Sequence, residues 1–193
     1  DANSSFPVCN PSRNAFWSGF RPTTSGIISN QGGFIREQTG FESIITMHQY
    51  FMQNGYYTVG AGKLYHATSM GAYDTDPDNW NKIIDWETGS EGGTQISWRS
   101  SVSGNDVPSW SAGTFNIDEA SDTKLANAIA EEITNYNQQD KPFFIACGFF
   151  RPHLPWNSHM QFWNLYDTSK VSPLLGYMDN DLDDIPGAKA SNY

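Results

Sequence analysis

The sequence has few basic residues, only two cysteines and no long apolar run, and each shortage excludes a class of protein. Its 193 residues include 11 Lys and Arg against 21 Asp and Glu, which gives a formal net charge of −10 at pH 7. This balance argues against a nucleic-acid partner, because phosphate backbones are bound by basic surfaces. No apolar run reaches the roughly 18–20 residues that a membrane span needs. Cys9 and Cys147 allow at most one disulfide bond, and the sequence leaves open whether it forms.

The sequence does contain enough apolar and aromatic residues for a folded core. Apolar residues make up 38% of the chain and aromatic residues 15%, a composition that argues against disorder. The low lysine content, together with abundant Ser, Thr, Asn, Gly and Trp, favours an exported protein. There is no internal repeat or clear linker, so the length predicts one domain or a large part of one.

A short helix is predicted within the opening stretch VCNPSRNAFWSG. Asn10 is expected to be the N-cap and Pro11 the first helical residue, where a missing N–H has no consequence. The helix would run over residues 12–18 and end at Gly19. Cys9 would then lie just ahead of the helix N-terminus, where unpaired N–H groups and the helix dipole favour negative charge.

A helix followed by a strand is predicted in ESIITMHQYFMQNGYYTVGAGKLYH. Apolar residues and one histidine recur at helical spacing: Ile44, Ile45, His48, Phe51 and Met52. The pair Asn54-Gly55 ends this helix, and the strand runs from Tyr56 to Ala61 until Gly62 breaks it. Lys63 and His66 follow directly, whereas His48, on the apolar face, is interpreted as structural.

The same order recurs in the stretch between residues 118 and 156. An apolar face formed by Leu125, Ala128, Ile129, Ile133 and Tyr136 predicts a helix of about 15 residues. Phe143 to Phe150 is almost wholly apolar, as expected of a strand buried on both faces of a parallel sheet. Arg151, Pro152 and His153 follow. Because ligands of parallel sheets bind at the carboxyl ends of the strands, these two loops and Cys9 predict an anion site.

Two further segments allow more than one interpretation. Residues 71–111 are rich in Gly, Ser, Trp and Asp and predict a long irregular insertion. Its tryptophans, Trp80, Trp86, Trp98 and Trp110, could stack on sugar rings or pack in the core. The acidic stretch with Asp179, Asp181, Asp183 and Asp184 lacks the glycine and glutamate of an EF-hand loop, and a solvated acidic turn is the better interpretation.

Three motifs resemble those of type I sulfatases. CNPSRNAFWSG is similar to the sulfatase signature Cys-x-Pro-Ser-Arg, which is followed at fixed spacing by a hydroxyl residue and glycine. GKLYH and RPHLPW lie where this family has its lysine-histidine pair and its second histidine. Together with DNDLDDIP they resemble the iduronate-2-sulfatase branch. The resemblance implies an alkaline-phosphatase-like α/β fold, here incomplete, with a central, largely parallel sheet and helices on both faces.

The resemblance also implies a function for each matching residue. Cys9 corresponds to the cysteine that is oxidised to Cα-formylglycine by the formylglycine-generating enzyme, which reads Pro11 and Arg13. The aldehyde hydrate is the nucleophile of sulfate-ester hydrolysis, and Arg13 holds it. His66 orients or deprotonates the hydrate. The remaining catalytic and substrate-binding residues that the resemblance implies are Lys63, Arg151, His153 and Trp156.

The resemblance further implies a divalent cation, calcium in this family, with Cys9 as formylglycine among its ligands. The other ligands of the family lie before the signature and after DNDLDDIP. We therefore expect residues 1–193 to be a central piece of an N-terminal catalytic domain, without its first strand and its C-terminal portion, and inactive alone. The expected partners are a sulfated carbohydrate, the modifying enzyme and the remaining parts of the domain. The expected location is secreted or periplasmic, or lysosomal in an animal.

Three other functions remain open from the sequence. A phosphate or phosphonate ester hydrolase of the same superfamily would use a similar anion site and metal. A non-catalytic carbohydrate-binding module fits the acidic, aromatic composition and would give Lys63, His66 and His153 no role. A degenerate sulfatase would keep the fold without the reaction. Taken singly, Arg13 could also be a solvated helix charge and Cys147 a core residue.

Overall fold

The computed structural model describes residues 3–66, 80–84, 110–136, 141–153 and 156–172. The chain divides into two compact units. The larger unit contains residues 1–91 and 118–150, and the smaller unit contains residues 92–117 and 151–193. No helix among the described residues is long and apolar enough to cross a membrane.

The described elements are short helices and short strands. The helices are α1 (Cys9–Ser18), α2 (Pro22–Ser25), α3 (Met47–Gln53), α4 (Ser121–Asn135) and α5 (Met160–Trp163). The strands are β1 (Tyr57–Gly62), β2 (Lys82–Ile84), β3 (Trp110–Gly113), β4 (Phe143–Gly148) and β5 (Trp156–His159). Single 3₁₀ turns cover Ile35–Glu37, Ile117–Glu119 and Thr168–Lys170.

A parallel three-stranded sheet forms the centre of the larger unit, in the order β2-β1-β4. The register pairs Tyr57 with Phe143 at one end and Gly62 with Gly148 at the other. The helix α4 packs against both β1 and β4, and α3 packs against β1. The carboxyl ends of the two predicted strands therefore lie side by side, as the sequence predicts for a parallel α/β sheet.

The strand β4 is less buried than its apolar sequence predicts. Phe143 is 46% exposed, and the rest of the strand is only partly buried. In the described sheet β4 is an edge strand, whereas the middle strand β1 is buried from Thr58 to Ala61. The predicted burial of residues 143–150 on both faces is therefore wrong, and it is β1 that is buried.

The segment 71–111 is not irregular throughout. Lys82–Ile84 forms β2, which pairs in parallel with β1, so the prediction is wrong at these residues. Trp80 is buried and packs with Trp17, Leu64 and Tyr65, which supports the core interpretation for this tryptophan. Trp86, Trp98 and the side chain of Trp110 lie outside the described residues, as does the acidic stretch 179–184.

The core of the larger unit is aromatic and contains one histidine. His48 stacks on Trp80 with ring centroids 4.5 Å apart, and Trp17 meets the His48 ring edge-on at 4.8 Å. His48 is 0% exposed, and its Nε2 lies 3.2 Å from the Thr46 hydroxyl. Burial, and to a lesser degree the charge of Arg36, lowers the pKa of His48 to about 3. The structural interpretation of His48 is confirmed.

The predicted helices differ from the observed ones mainly at their first residues. The helix α4 has 15 residues, as expected. The helix α3 begins at Met47, because Thr46 has extended backbone angles, so Ile44 and Ile45 precede the helix. It ends as predicted at Asn54, followed by Gly55 with a φ of 85°.

The smaller unit contains β3, β5 and α5. The strands β3 and β5 pair in parallel, from Trp110 with Trp156 to Gly113 with His159. His159 is the N-cap of α5, and its Nδ1 accepts a hydrogen bond of 3.1 Å from the Gln161 N–H. His159 therefore lies at the start of this short helix.

Candidate active site

Cys9 is the first residue of α1 rather than a residue ahead of it. Val8 is the cap position, with extended backbone angles and no side-chain capping bond. The predicted N-cap at Asn10 is therefore wrong by two residues, because the Asn10 side chain bonds elsewhere. Pro11 remains in the first turn, where its missing N–H leaves no partner unsatisfied. The predicted end is confirmed, since Gly19 has a φ of 77°.

A buried network of asparagine side chains fixes the first turns of α1. Asn10 donates from Nδ2 to the Gly33 carbonyl at 3.0 Å, and its backbone N–H donates to Asn30 Oδ1 at 3.1 Å. Asn14 donates from Nδ2 to the Asn10 carbonyl at 3.0 Å and accepts the Ile35 N–H at 2.9 Å. Asn10 and Asn14 are both almost fully buried. The network holds the residue next to Cys9 against the loop of residues 29–35.

Sequence reasoning missed this network. The only available signal was the spacing of Asn10 and Asn14, which places two amides on one side of a helix. An amide at such a position is far more often exposed, and the carbonyl groups that it bonds come from a loop without periodicity. Burial of both side chains is therefore a tertiary effect.

Arg13 connects α1 to the loop that follows β1. Its Nη1 donates to the carbonyl oxygens of Lys63 and of Leu64, the latter at 3.2 Å. Trp17, one turn further along α1, donates from Nε1 to the same Leu64 carbonyl at 2.8 Å. Both bonds lie in partly or fully buried surroundings, where an unpaired carbonyl would be unfavourable. Both the middle and the last turn of α1 are thereby attached to the loop after β1.

Lys63 also lies at the carboxyl end of β1. Its backbone N–H donates to the Gly148 carbonyl at 2.7 Å, so the loop also bonds the end of β4. Burial lowers the pKa of the Lys63 ammonium, and the charge of Arg13 lowers this pKa further. The Cys9 sulfur raises it. Burial likewise lowers the pKa of Arg13, and Cys9 again opposes this. The structure therefore brings Cys9, Arg13 and Lys63 within electrostatic range of one another.

Two glycines allow the strand ends to approach this closely. Gly62 has a φ of 73°, and a Cβ there would overlap the Gly148 carbonyl. A Cβ at Gly148 would overlap the backbone of Lys63. A side chain at either position would push the Lys63 loop away from β4.

The remaining predicted site residues lie on the same loop or in the other unit. His66 is partly buried and lies three residues after Lys63. Arg151 donates from Nη1 to the His153 carbonyl at 3.3 Å, and both belong to the smaller unit. Trp156 begins β5 in that unit and is 55% exposed. The roles of these residues stay predictions.

The two cysteines do not form a disulfide bond. Cys9 and Cys147 are both free thiols, so the alternative of a bridge between them is wrong. Cys147, expected in the core, is only partly buried, because β4 is an edge strand. Burial raises the pKa of the Cys147 thiol, and the charge of Asp122 raises it further.

The described residues do not fit a divalent cation by themselves. Across the part of the chain that the structure describes, no group of three or more His, Cys, Asp or Glu side chains could hold a metal ion. Among the described residues, the cations Arg13 and Lys63 interact electrostatically with Cys9, and these cations would repel a metal rather than bind it. This arrangement favours an anion beside position 9.

Comparison with known proteins finds similarity to sulfatases in each case. The sequence pattern of the sulfatase family matches residues 1–177. A sulfatase of Formosa agariphila is 32% identical over 198 residues, which cover 96% of this chain and 38% of that protein. The human iduronate 2-sulfatase is 29% identical over 177 residues, covering 86% of this chain and 30% of that protein. A choline-sulfatase of Rhizobium meliloti is 24% identical over 193 residues, covering 93% and 36%.

The chain thus spans about a third of the length of the curated relatives it matches: 38%, 30% and 36%. The match agrees with the parallel sheet and its helices. The expectation of an incomplete alkaline-phosphatase-like α/β fold is confirmed.

Proposed function

The chain belongs to the sulfatase family, and on this premise we propose that the whole protein hydrolyses the sulfate ester of a sulfated carbohydrate. Three relatives support the ester class, since they carry the names sulfatase, iduronate 2-sulfatase and choline-sulfatase. The carbohydrate is supported by the iduronate 2-sulfatase, whose name states a sugar acid.

The observation that carries the proposal is the pair of cations beside position 9. A sulfate ester is an anion whose charge spreads over its outer oxygens in the transition state, and buried cations aimed there stabilise it. Lys63 is 3% exposed and interacts with Cys9, as does Arg13. Although the net charge of the chain is −10, a local pair of cations can reverse the potential inside such a site.

The proposed chemistry requires Cys9 to be converted to Cα-formylglycine. The hydrated aldehyde has two hydroxyl oxygens. One attacks sulfur, and the other then re-forms the aldehyde C=O group and thereby expels sulfate. A guanidinium has five N–H donors, so the carbonyl bonds of Arg13 Nη1 leave donors that can hold the group at position 9. Lys63 binds the sulfate oxygens. His66 accepts the proton of the attacking hydroxyl, a suitable task for an imidazole near neutral pH.

We further propose, on the motif resemblance alone, roles for three residues that follow β4 in the sequence. His153 binds sulfate and protonates the leaving alcohol, while Arg151 and Trp156 contact the sugar. An exposed indole such as that of Trp156 offers a flat apolar face to a sugar ring.

The divalent cation, the modifying enzyme and the exported location are proposals that rest on the family. Since the described residues lack a ligand set, we expect the 193-residue chain alone to be inactive with or without added calcium. Robust, metal-dependent release of sulfate from an aryl sulfate by the purified chain would contradict this.

The anion site can be tested on the unmodified chain through the charge preference of Cys9. Iodoacetate and iodoacetamide alkylate the same thiolate, so the ratio of their rates reports the local potential and not the amount of thiolate. We expect Lys63→Met to lower this ratio at Cys9 by about fivefold, the effect of roughly 1 kcal/mol from one nearby charge. Mass spectrometry of the two cysteine peptides gives the rates.

Two controls accompany this experiment. Lys124→Met removes the same charge from an exposed site paired with Glu119 and should leave the Cys9 ratio unchanged. Cys147, beside Asp122, should favour the neutral reagent in every variant. An unchanged Cys9 ratio in Lys63→Met would refute the anion site.

The reaction itself is tested with the whole protein, produced together with a formylglycine-generating enzyme. The Cys9 peptide should show the mass of an aldehyde in place of the thiol, and an aryl sulfate should turn over faster than the matching aryl phosphate. Cys9→Ala should abolish turnover, and Cys147→Ser should retain it. Faster turnover of the phosphate would favour a phosphate ester hydrolase instead, and sugar binding without turnover would favour a binding module.

A further inference from the structure

The Lys63 ammonium lies over an aromatic ring. Its Nζ is 4.8 Å from the centroid of the Phe150 ring, within the roughly 6 Å at which a cation is attracted by the negative face of the ring. Lys63 follows the end of β1 and Phe150 follows the end of β4, two strands paired in parallel as far as Gly62 and Gly148. The contact is therefore set by the register of the sheet and by the hydrogen bond from Lys63 N–H to the Gly148 carbonyl.

The position of Phe150 is itself fixed from α4. Its backbone N–H donates to Asp122 Oδ1 at 2.8 Å. Asp122 lies in the first turn of α4, where a carboxylate is favoured by the helix dipole. Because this bond uses the backbone of Phe150, replacing the side chain removes the ring and leaves the attachment to α4 in place.

The ring differs from a carboxylate in what it does to the lysine charge. No carboxylate of the described residues forms an ion pair with Lys63. A carboxylate would neutralise the ammonium and compete with an incoming anion, whereas an aromatic face attracts the cation and leaves its three N–H donors and its charge available. The charge of Arg13 repels the Lys63 ammonium, and attraction to the ring acts against this repulsion.

We propose that Phe150 is a positioning residue for the anion site: its ring holds the Lys63 ammonium beside Cys9 without neutralising it. The inference deepens the proposed function and rests on it, since it takes Lys63 to be an anion-binding cation. It adds a residue from the end of β4 to which the sequence alone gives no role.

The test uses the full 193-residue chain and the ratio of iodoacetate to iodoacetamide alkylation at Cys9. Phe150→Leu removes the π face and keeps an apolar side chain, and we expect the ratio to fall about 2- to 5-fold, towards the value of Lys63→Met. Phe150→Tyr restores an aromatic face and should restore the ratio. A variant that only loosens the loop would change both rates together and leave their ratio constant.

The neighbouring phenylalanine provides a matched control. Phe149 is 48% exposed and precedes Phe150 in the same loop, so Phe149→Leu should not change the ratio. A normal ratio in Phe150→Leu alongside a low ratio in Lys63→Met would overturn the inference and leave the anion site intact. A ratio that Lys63→Met does not change would refute the anion site and this inference with it.

A second measurement covers the case in which Phe150→Leu does not fold. In the unmodified chain, an ammonium held over a ring places the ε-methylene protons of Lys63 in the ring current. We expect their NMR signals to lie upfield of those of the other lysines. Phe150→Tyr keeps a ring at this position, so its Lys63 signals should also lie upfield. Ordinary shifts in the unmodified chain would overturn the inference.

Discussion

The buried histidine of the aromatic core predicts that the protein loses stability in mild acid. His48 is 0% exposed and stacked on Trp80, and burial, with a smaller contribution from Arg36, lowers its pKa from 6.5 to about 3. Unfolding exposes the ring and returns its pKa to the ordinary value. Between these two values the unfolded chain binds a proton that the folded chain does not, so the free energy of unfolding decreases as the pH falls.

The magnitude follows from the two pKa values. One pH unit within this window is worth about 1.4 kcal/mol, so lowering the pH from 7 to 5 should reduce the free energy of unfolding by about 2 kcal/mol through His48 alone. The contribution is fully present above pH 6.5 and continues to decrease towards pH 3. Such a change is a large part of the roughly 5–15 kcal/mol that stabilises a typical domain.

The assay compares the unmodified chain with His48→Gln, which has a neutral amide at every pH. Urea unfolding followed by tryptophan fluorescence at pH 7, 6 and 5 gives the free energy of unfolding for each. All other ionisable groups are the same in both proteins, so their effects cancel in the difference between the two slopes. Equal dependence on pH in both proteins would refute the reasoning, whatever the absolute stability of His48→Gln.

Two further substitutions test the packing around the site. Gly148→Ala should reduce the free energy of unfolding by about 1–3 kcal/mol, because its Cβ would overlap the backbone of Lys63 and tightly packed sites respond in this way; urea unfolding measures the loss. Asn14→Leu should reduce it by about 1–3 kcal/mol, because the buried Ile35 N–H loses its acceptor; hydrogen exchange of the Ile35 amide measures the local effect.

Each substitution has a comparison elsewhere in the chain. Gly40 has a φ of 87° and open space around its Cβ position, so any stability loss in Gly40→Ala reports backbone strain alone. Gly148 has no positive φ, so the loss in Gly148→Ala reports overlap. Asn54 is exposed at the end of α3, and Asn54→Leu should not change protection of the Ile35 amide. Wild-type stability in Gly148→Ala, or unchanged Ile35 protection in Asn14→Leu, would contradict these assignments.

The sequence predicted those parts of the fold that depend on local periodicity. The 15-residue α4, the strand β1 and its end at Gly62 all follow from patterns within one segment. The start of α1 could not be predicted, because Asn10 bonds a distant loop instead of the helix N–H groups. Nor could the short strand β2, whose three residues form a strand through pairing with β1.

In the candidate site too, local patterns predict some features, while others depend on contacts between distant segments. The position of Lys63 after a strand predicts its place at the sheet edge, whereas Cys9, expected ahead of the helix, instead lies within it, one turn before Arg13. The contribution of Phe150 depends on a contact between two loops, and that of Gly148 on a close backbone approach. Neither has a signal within its own segment.

The backbone of Lys63 joins three distant segments of the chain: its N–H donates to the end of β4, and its carbonyl oxygen accepts from Arg13 of α1. The hydrogen bonds that attach Lys63 to both β4 and α1 therefore cannot all form until residue 148 has paired with β1. Because contacts between distant segments form slowly, we expect this corner to be assembled late in folding, with both cations dispersed in solvent beforehand. In a folding intermediate that has α4 but an unpaired β4, the Cys9 thiol would then show no preference for an anionic over a neutral reagent.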